Sequence, residues 1–189
     1  MDILLDEITS ATLNQLEITQ KEFWNISRET GMLLNIFIKL MSVKSALEIG
    51  TSNGYSGLWL ANALKTTGGC LTTIEYFDKR QSIAIEHFKK CGVLDIIRTL
   101  QGSAIKILGA LSYDEKFDFV FIDANKAEYI DYFELVKPHL TEKALIVADN
   151  ISTHPDKVQP FIDAVDADDN FQWEILDIPG GLLVAYKGV

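Results

Sequence analysis

Residues 46–61, ALEIGTSNGYSGLWLA, hold the decisive signal. A short apolar run ends at Ile49, a glycine-bearing loop follows through Gly54, and an apolar helical pattern begins at once. A strand that turns through glycine directly into a helix is the first step of an open α/β sheet. From there, β-rich runs alternate with amphipathic helical stretches to the end of the chain. The runs predict strands over 45–49, 70–75, 96–101, 117–123, 144–149, 171–177 and 182–188. Helices are predicted between them over 55–66, 78–91, 103–111, 126–137 and 156–167, and ahead of them over Asp6–Thr19 and Glu29–Met41. The last two strands are joined only by Ile178-Pro179-Gly180-Gly181, too short for a crossover helix, so they form an antiparallel hairpin. The expectation is a seven-stranded, mostly parallel sheet with its last strand reversed and helices on both faces, all in one domain spanning residues 1–189.

The bulk properties narrow the function. A net charge of −10 disfavours non-specific binding to nucleic acid or anionic membrane. The longest apolar stretch, GMLLNIFIKLM at 31–41, is too short for a bilayer, carries Asn35 and Lys39, and reads as one buried helix. Cys70 and Cys91 fall in a predicted buried strand and at a helix end; without a cysteine framework or signal peptide, a reduced, cytoplasmic setting is expected.

In an open α/β sheet, ligands bind at the carboxyl ends of the strands, where the 50–54 loop lies. The dinucleotide fingerprint G-x-G-x-x-G fails here, because Ser52 stands where a second glycine lets backbone approach a pyrophosphate. Glu48 would also repel a polyphosphate, and no Gly-Lys-Ser/Thr follows to make a P-loop. Glu75 ends the second strand 21 residues after Gly54, close to the spacing at which an acid takes ribose hydroxyls. A ligand with a ribose and cationic groups but no pyrophosphate fits, and S-adenosyl-L-methionine is one. Farther on, F-I-D-A-N-K (121–126) and V-A-D-N (147–150) end neighbouring strands, so Asp123, Asp149 and Asn150 can converge. Oxygen ligands without His or Cys suit a hard cation, Mg²⁺, Ca²⁺ or Mn²⁺, and leave positions open for substrate oxygens such as a vicinal diol. Lys126 follows at the start of a helix and can serve the same mouth as a general base.

A-L-E-I-G-T-S-N-G-Y-S, T-I-E-Y (73–76), G-S-A (102–104), D-A-N-K and D-N together resemble the class I methyltransferases, and more narrowly the cation-dependent O-methyltransferases of the catechol and caffeoyl-CoA type. The resemblance runs from about Trp24 to Lys187 and implies a Rossmann-like fold and methyl transfer to a hydroxyl. It places Glu48, Gly50, Ser52, Gly54 and Ser56 around the methionine part, with W-N-I (24–26), Ile26 in particular, covering it. Glu75 and Tyr76 fall to the ribose side, Gly102, Ser103 and Ala104 to the adenine; Asp123 serves cofactor and metal, Asp149 and Asn150 the metal, and Lys126 the catalysis. Relative to that family the leader before Glu48 is brief and the connection after Asn150 lacks a Trp-and-Gly loop, which implies an open site. The acceptor is thus a small hydroxyl compound or, as in some relatives, a tRNA wobble uridine, and a homodimer stays open.

Other readings have less support. A nicotinamide-dependent oxidoreductase lacks its second glycine and any Tyr-x-x-x-Lys pair, and an amino-methyltransferase lacks the Asn/Asp-Pro-Pro-aromatic run. A non-catalytic cofactor-binding protein would not need Lys126 and all three oxygen ligands. His154 touches substrate or sits in a surface turn, His87 and His139 read as structural, and Tyr129 and Tyr132 wall the site or fill the core. Asp177 stands near the place of an acid that meets the second hydroxyl in catechol-type members, and the acids at 166–169 read as a solvated helix end.

Overall fold

Strand β1 (Ser45–Ile49) runs through the middle of the molecule, and the computed structural model describes the chain around it from residue 5 to residue 188. The other strands are β2 (Cys70–Glu75), β3 (Ile97–Gln101), β4 (Phe117–Ile122), β5 (Leu140–Ala148), β6 (Phe171–Leu176) and β7 (Leu182–Lys187). They form one sheet in the order β3-β2-β1-β4-β5-β7-β6. The first five are parallel, while β7 lies antiparallel between β5 and β6, as the short hairpin link at 177–181 requires. Because the chain steps from β1 outward to β2 and β3, then returns to β4 on the other side of β1, the strand order reverses beside β1. That reversal opens a crevice at the carboxyl ends of β1 and β4.

The helices are α1 (Glu7–Ile18), α2 (Gln20–Phe23), α3 (Arg28–Leu40), α4 (Tyr55–Thr67), α5 (Asp78–Lys90), α6 (Ala104–Leu108), α7 (Tyr129–Val136) and α8 (Pro155–Asp166). Local chemistry sets their ends. The Asp6 carboxylate accepts from the Thr9 amide at 2.9 Å and the Ser27 hydroxyl from the Thr30 amide at 3.0 Å, each satisfying an otherwise orphan donor. Pro155 occupies the first turn of α8, where its missing N–H costs nothing.

Alternation along β1 splits the core in two. Ala46 faces Leu34, Ile38, Leu58 and Trp59 of α3 and α4, whereas Leu47 and Ile49 face Phe133, Val136, Val158 and Phe161 of α7 and α8. In the second layer, Phe161 meets Phe133 and Tyr129 edge-on, at centroid distances of 5.6 and 5.8 Å. In the first layer, α3 and α4 approach closely because Gly31 has no side chain: a Cβ there would overlap the Trp59 indole. The buried Asn35 amide then donates to the Trp59 carbonyl at 3.1 Å.

Several details depart from the sequence reading. Residues 126–137 do not make one helix. The Asn125 side chain accepts from the Ala127 amide and starts a 3-10 turn over Lys126–Glu128 before α7 begins. The helix expected over 103–111 stops at Leu108, ahead of Gly109. Strand β5 begins at Leu140 rather than 144, with an irregularity in its pairing between Phe117 and Phe119. The stretch 31–41 is amphipathic rather than buried throughout: Leu34 and Ile38 are inside, while Leu40 is 76% exposed. Cys70 is exposed, because it opens β2 at the rim of the sheet, whereas Cys91, at the end of α5 as expected, is buried.

The Gly31 contact has a measurable consequence. Gly31→Ala will lower stability by about 1–2 kcal/mol, since overlap with Trp59 outweighs the gain of about 1 kcal/mol that alanine brings to a helix interior. The measurement is the urea midpoint; a variant as stable as the parent overturns this account of the α3–α4 approach.

Candidate active site

Backbone hydrogen bonds continue one residue past the strand ends and assemble the site. The Gly50 amide donates to the Ile74 carbonyl at 3.0 Å, the Asp123 amide to Ile49 at 2.9 Å, and the Asp149 amide to Ile122 at 3.0 Å. Residues distant in sequence thereby meet along one edge. Gly50 has φ 110°, and any Cβ there would overlap the Asp123 carbonyl oxygen, so only glycine fits this crossing.

The loop 50–54 is tied to two neighbouring segments. The Ser52 amide donates to Glu75 Oε2 at 2.8 Å, and the Phe77 amide donates to Glu75 Oε1 at 2.9 Å. The Gly102 amide donates to the Glu75 carbonyl at 2.8 Å, bringing Gly102, Ser103 and Ala104 to the same rim. The Ser52 hydroxyl points the other way and donates to the Phe23 carbonyl at 2.9 Å, while the Tyr55 hydroxyl donates to Glu17 at 2.8 Å. These bonds seat the segment before α3 on the loop, with Ile26 buried beneath it. Tyr76 is 63% exposed and packs edge-on against Phe77. Phe23 and Glu17 carried no signal in the sequence, because only the folded chain brings them within reach.

Glu48 lies under the loop with no exposed surface. The Ser56 hydroxyl donates to its Oε1 at 2.6 Å and the Thr73 hydroxyl to its Oε2 at 2.5 Å. Register explains both contacts: Thr73 is directly opposite Glu48 on β2, and the first turn of α4 places Ser56 above it. Burial raises the Glu48 carboxyl from 4.5 to about 7; the two hydroxyls pull it down and the charges of Asp123 and Glu75 push it up further.

At the next two strand ends, Lys126 Nζ lies 2.6 Å from Asp123 Oδ1, both side chains largely buried. Asp149 is 3% exposed, and its Oδ1 is the one buried carboxylate oxygen without a hydrogen-bond partner among the described residues. Burial, together with the charge of Asp123, raises Asp149 to about 7, against the Asn150 amide and Lys126, which lower it. Asn150 follows in a left-handed conformation, φ 62°. No three His, Cys, Asp or Glu side chains cluster as a metal site among the described residues; the set at this corner is two carboxylates and a carboxamide. All are hard oxygen donors, and an orphaned buried carboxylate oxygen is what a divalent cation would satisfy, so the residues fit such an ion.

The remaining candidates take structural positions. The buried Tyr129 hydroxyl donates to the carbonyls of Ile122 and Asp149, supporting the strand ends from the core side, and the Tyr132 hydroxyl donates to Glu128. His87 bonds through Nδ1 to the Asn53 carbonyl and His139 to the Glu115 carbonyl. His154 and Asp177 are exposed. In the 166–169 run, Asp166 accepts from the Trp173 indole and Asp168 from the Asn170 amide, closing the turn into β6.

The raised Glu48 carboxyl makes stability pH-dependent. Its contribution is fully present below pH 4.5 and is lost as pH rises through 7, a span worth up to about 3 kcal/mol. Glu48→Gln does not titrate, so the variant will gain on the parent between pH 4.5 and 7 in thermal midpoint. Parallel curves for the two proteins would overturn the assignment.

Comparison with known proteins gives the family. The family model described as O-methyltransferase matches residues 2–170. A catechol O-methyltransferase of Niastella koreensis is 34% identical over 148 residues, 77% of this chain and 66% of that protein. Caffeoyl-CoA O-methyltransferase 1 of Eucalyptus globulus is 39% identical over 131 residues, 64% of this chain and 53% of that one. The chain thus spans between about half and two thirds of the length of these curated relatives. Among solved structures, the Bacillus cereus O-methyltransferase in complex with SAH superposes with a TM-score of 0.87 at 23% identity, covering 98% of this chain and 93% of that one. The Streptomyces achromogenes O-methyltransferase TomG, involved in tomaymycin synthesis and solved with SAM, gives 0.85 at 26% identity, covering 99% and 93%. With one family model running through the N-terminal helices, the glycine loop and both acidic strand ends, this chain belongs to the O-methyltransferase family.

Proposed function

We propose that this chain transfers a methyl group from S-adenosyl-L-methionine to a hydroxyl of a small acceptor, with vicinal hydroxyls on an aromatic ring as the best-fitting class, and that a divalent cation at Asp123, Asp149 and Asn150 assists. The observation that carries the reading is the convergence of Asp123, Lys126 and the unpartnered Asp149 carboxylate beside the glycine loop. The names of the relatives, catechol and caffeoyl-CoA O-methyltransferases, support the acceptor class, and the SAM and SAH in two solved neighbours support the cofactor.

On this reading the loop 50–54 and Glu75 bind the cofactor, with the acids of this edge complementing its cationic groups. A cation bound at the strand-end oxygens supplies charge stabilisation for the acceptor's developing oxyanion. Lys126, held at the mouth by Asp123, accepts the proton of the acceptor hydroxyl in its unprotonated amine form, its own proton having first left to solvent. Gly50 and the backbone ladder fix the distance between the cofactor loop and the acid corner, so much of the rate gain comes from positioning.

Two experiments test it. S-adenosylmethionine at about 100 times its Kd should stabilise the protein by about 2.7 kcal/mol in thermal denaturation, with no effect of NADH or NADPH. A shift from the nicotinamide nucleotides alone would refute the cofactor assignment. In a methyl-transfer screen of vicinal-diol phenols and tRNA, turnover should need Mg²⁺ and stop in EDTA. Lys126→Met should lower kcat by about 10²–10⁴-fold while the affinity for S-adenosylmethionine stays. Full turnover in EDTA would sink the cation's part, and an active Lys126→Met variant the lysine's.

A further inference from the structure

The hairpin link between β6 and β7 does more than reverse the chain. It closes on itself, the Gly181 amide donating to the Ile178 carbonyl at 2.8 Å, and then rests on the segment leaving β5. The Ile151 amide donates to the Gly181 carbonyl at 3.2 Å and the Ser152 amide to the Gly180 carbonyl at 2.9 Å. Two consecutive amides just past Asn150 are thus held by two consecutive glycine carbonyls. Asn150 itself carries φ 62°, a left-handed conformation that Asn tolerates better than other non-glycine residues but that neighbouring contacts must still hold. The paired hydrogen bonds on 151 and 152 are those contacts.

Backbone favours glycine at both positions, and at Gly181 space requires it as well. Gly180 and Gly181 have φ 94° and 73°, and a Cβ on Gly181 would overlap the Ser152 hydroxyl. A Cβ on Gly180 would stand 3.1 Å from Asn150 Nδ2 and 3.6 Å from Asp149 Oδ1. The bare Cα of Gly180 therefore backs directly onto the side chains of both residues at the end of β5, including the unpartnered carboxylate oxygen.

We propose that the Ile178–Gly181 turn sets the cation affinity of the Asp149–Asn150 corner, with Gly180 as its positioning residue. This rests on the reading of Asp123, Asp149 and Asn150 as cation ligands. The turn contributes no ligand atom. It fixes the kink at Asn150 and keeps the space beside the Asp149 carboxylate free, so the oxygens meet an ion without rearranging. Groups that orient metal ligands without touching the metal commonly contribute about 10–100-fold in affinity.

The test is Mn²⁺ binding by the full chain, read from the loss of the free-ion electron paramagnetic resonance signal, beside calorimetric titration of S-adenosylmethionine. Gly180→Ala should bind Mn²⁺ about 10–100-fold more weakly, with cofactor affinity within about twofold of the parent. Gly92→Ala is the control for strain alone: its φ is 60° and nothing lies within 4 Å of the added Cβ, so it shares the backbone penalty and should keep the parent's Mn²⁺ affinity. Pro179→Gly loosens the turn without adding an atom near the corner and should weaken Mn²⁺ in the same direction, which keeps the proposal testable if Gly180→Ala does not fold. Unchanged Mn²⁺ affinity in a folded Gly180→Ala, or an equal loss in Gly92→Ala, overturns the role of the turn alone. A parent protein that takes up no Mn²⁺ overturns the cation reading and this role with it.

Discussion

The registration of parallel strands at one edge of the sheet is the constraint from which the rest of the site follows. Strands β1, β2 and β4 offer carbonyls at or next to their ends, on Ile49, Ile74 and Ile122, and each takes an amide from the residue just past a neighbour's end. In a parallel ladder such bonds are evenly spaced, so one step of slippage would move every loop relative to the next. Burial of both faces forbids that slip, because it would turn Leu47 and Ile49 out of the α7–α8 core and put Ala46 and Glu48 in their place. The hydrophobic layers thereby fix the distance between a glycine loop and an acid corner that never touch through side chains.

The same edge gathers Glu48, Glu75, Asp123 and Asp149, a concentration of acid that would repel itself if left unsupported. The chain handles each differently. Glu75 accepts two backbone amides, Glu48 accepts two hydroxyls and drifts toward its neutral form, and Asp123 takes an ammonium. Among the described residues, Asp149 alone of these keeps a fully buried oxygen without a donor. The edge is thus a surface whose internal partners are nearly, but not fully, sufficient for its charge.

Much of this was legible in the sequence. The strand-loop-helix signature of 46–61, the acid at Glu75 and the two acidic strand ends are local patterns, and the structure sets the ends of β4 and β5 side by side as expected. What was missed depends on contacts between distant segments. Thr73 looks like any strand threonine until register sets it opposite Glu48, and Phe23 contributes a carbonyl, which no side-chain pattern reveals. Gly180 reads as a hairpin glycine, and its approach to Asn150 exists only because β7 is inserted beside β5. Cys70 was misjudged for a simpler reason: alternation predicts which face a residue takes, not that the first residue of a strand sits at the solvent rim.

The ion pair between Lys126 and Asp123 carries one more implication. In small metal-nucleated domains, the ligands repel one another until the ion arrives, so folding and loading are a single event. Here an ammonium belonging to the chain already sits 2.6 Å from the acid, and two helical layers close the core independently of that corner. On the proposed cation reading, the fold then assembles without the ion, which would bind a scaffold already closed.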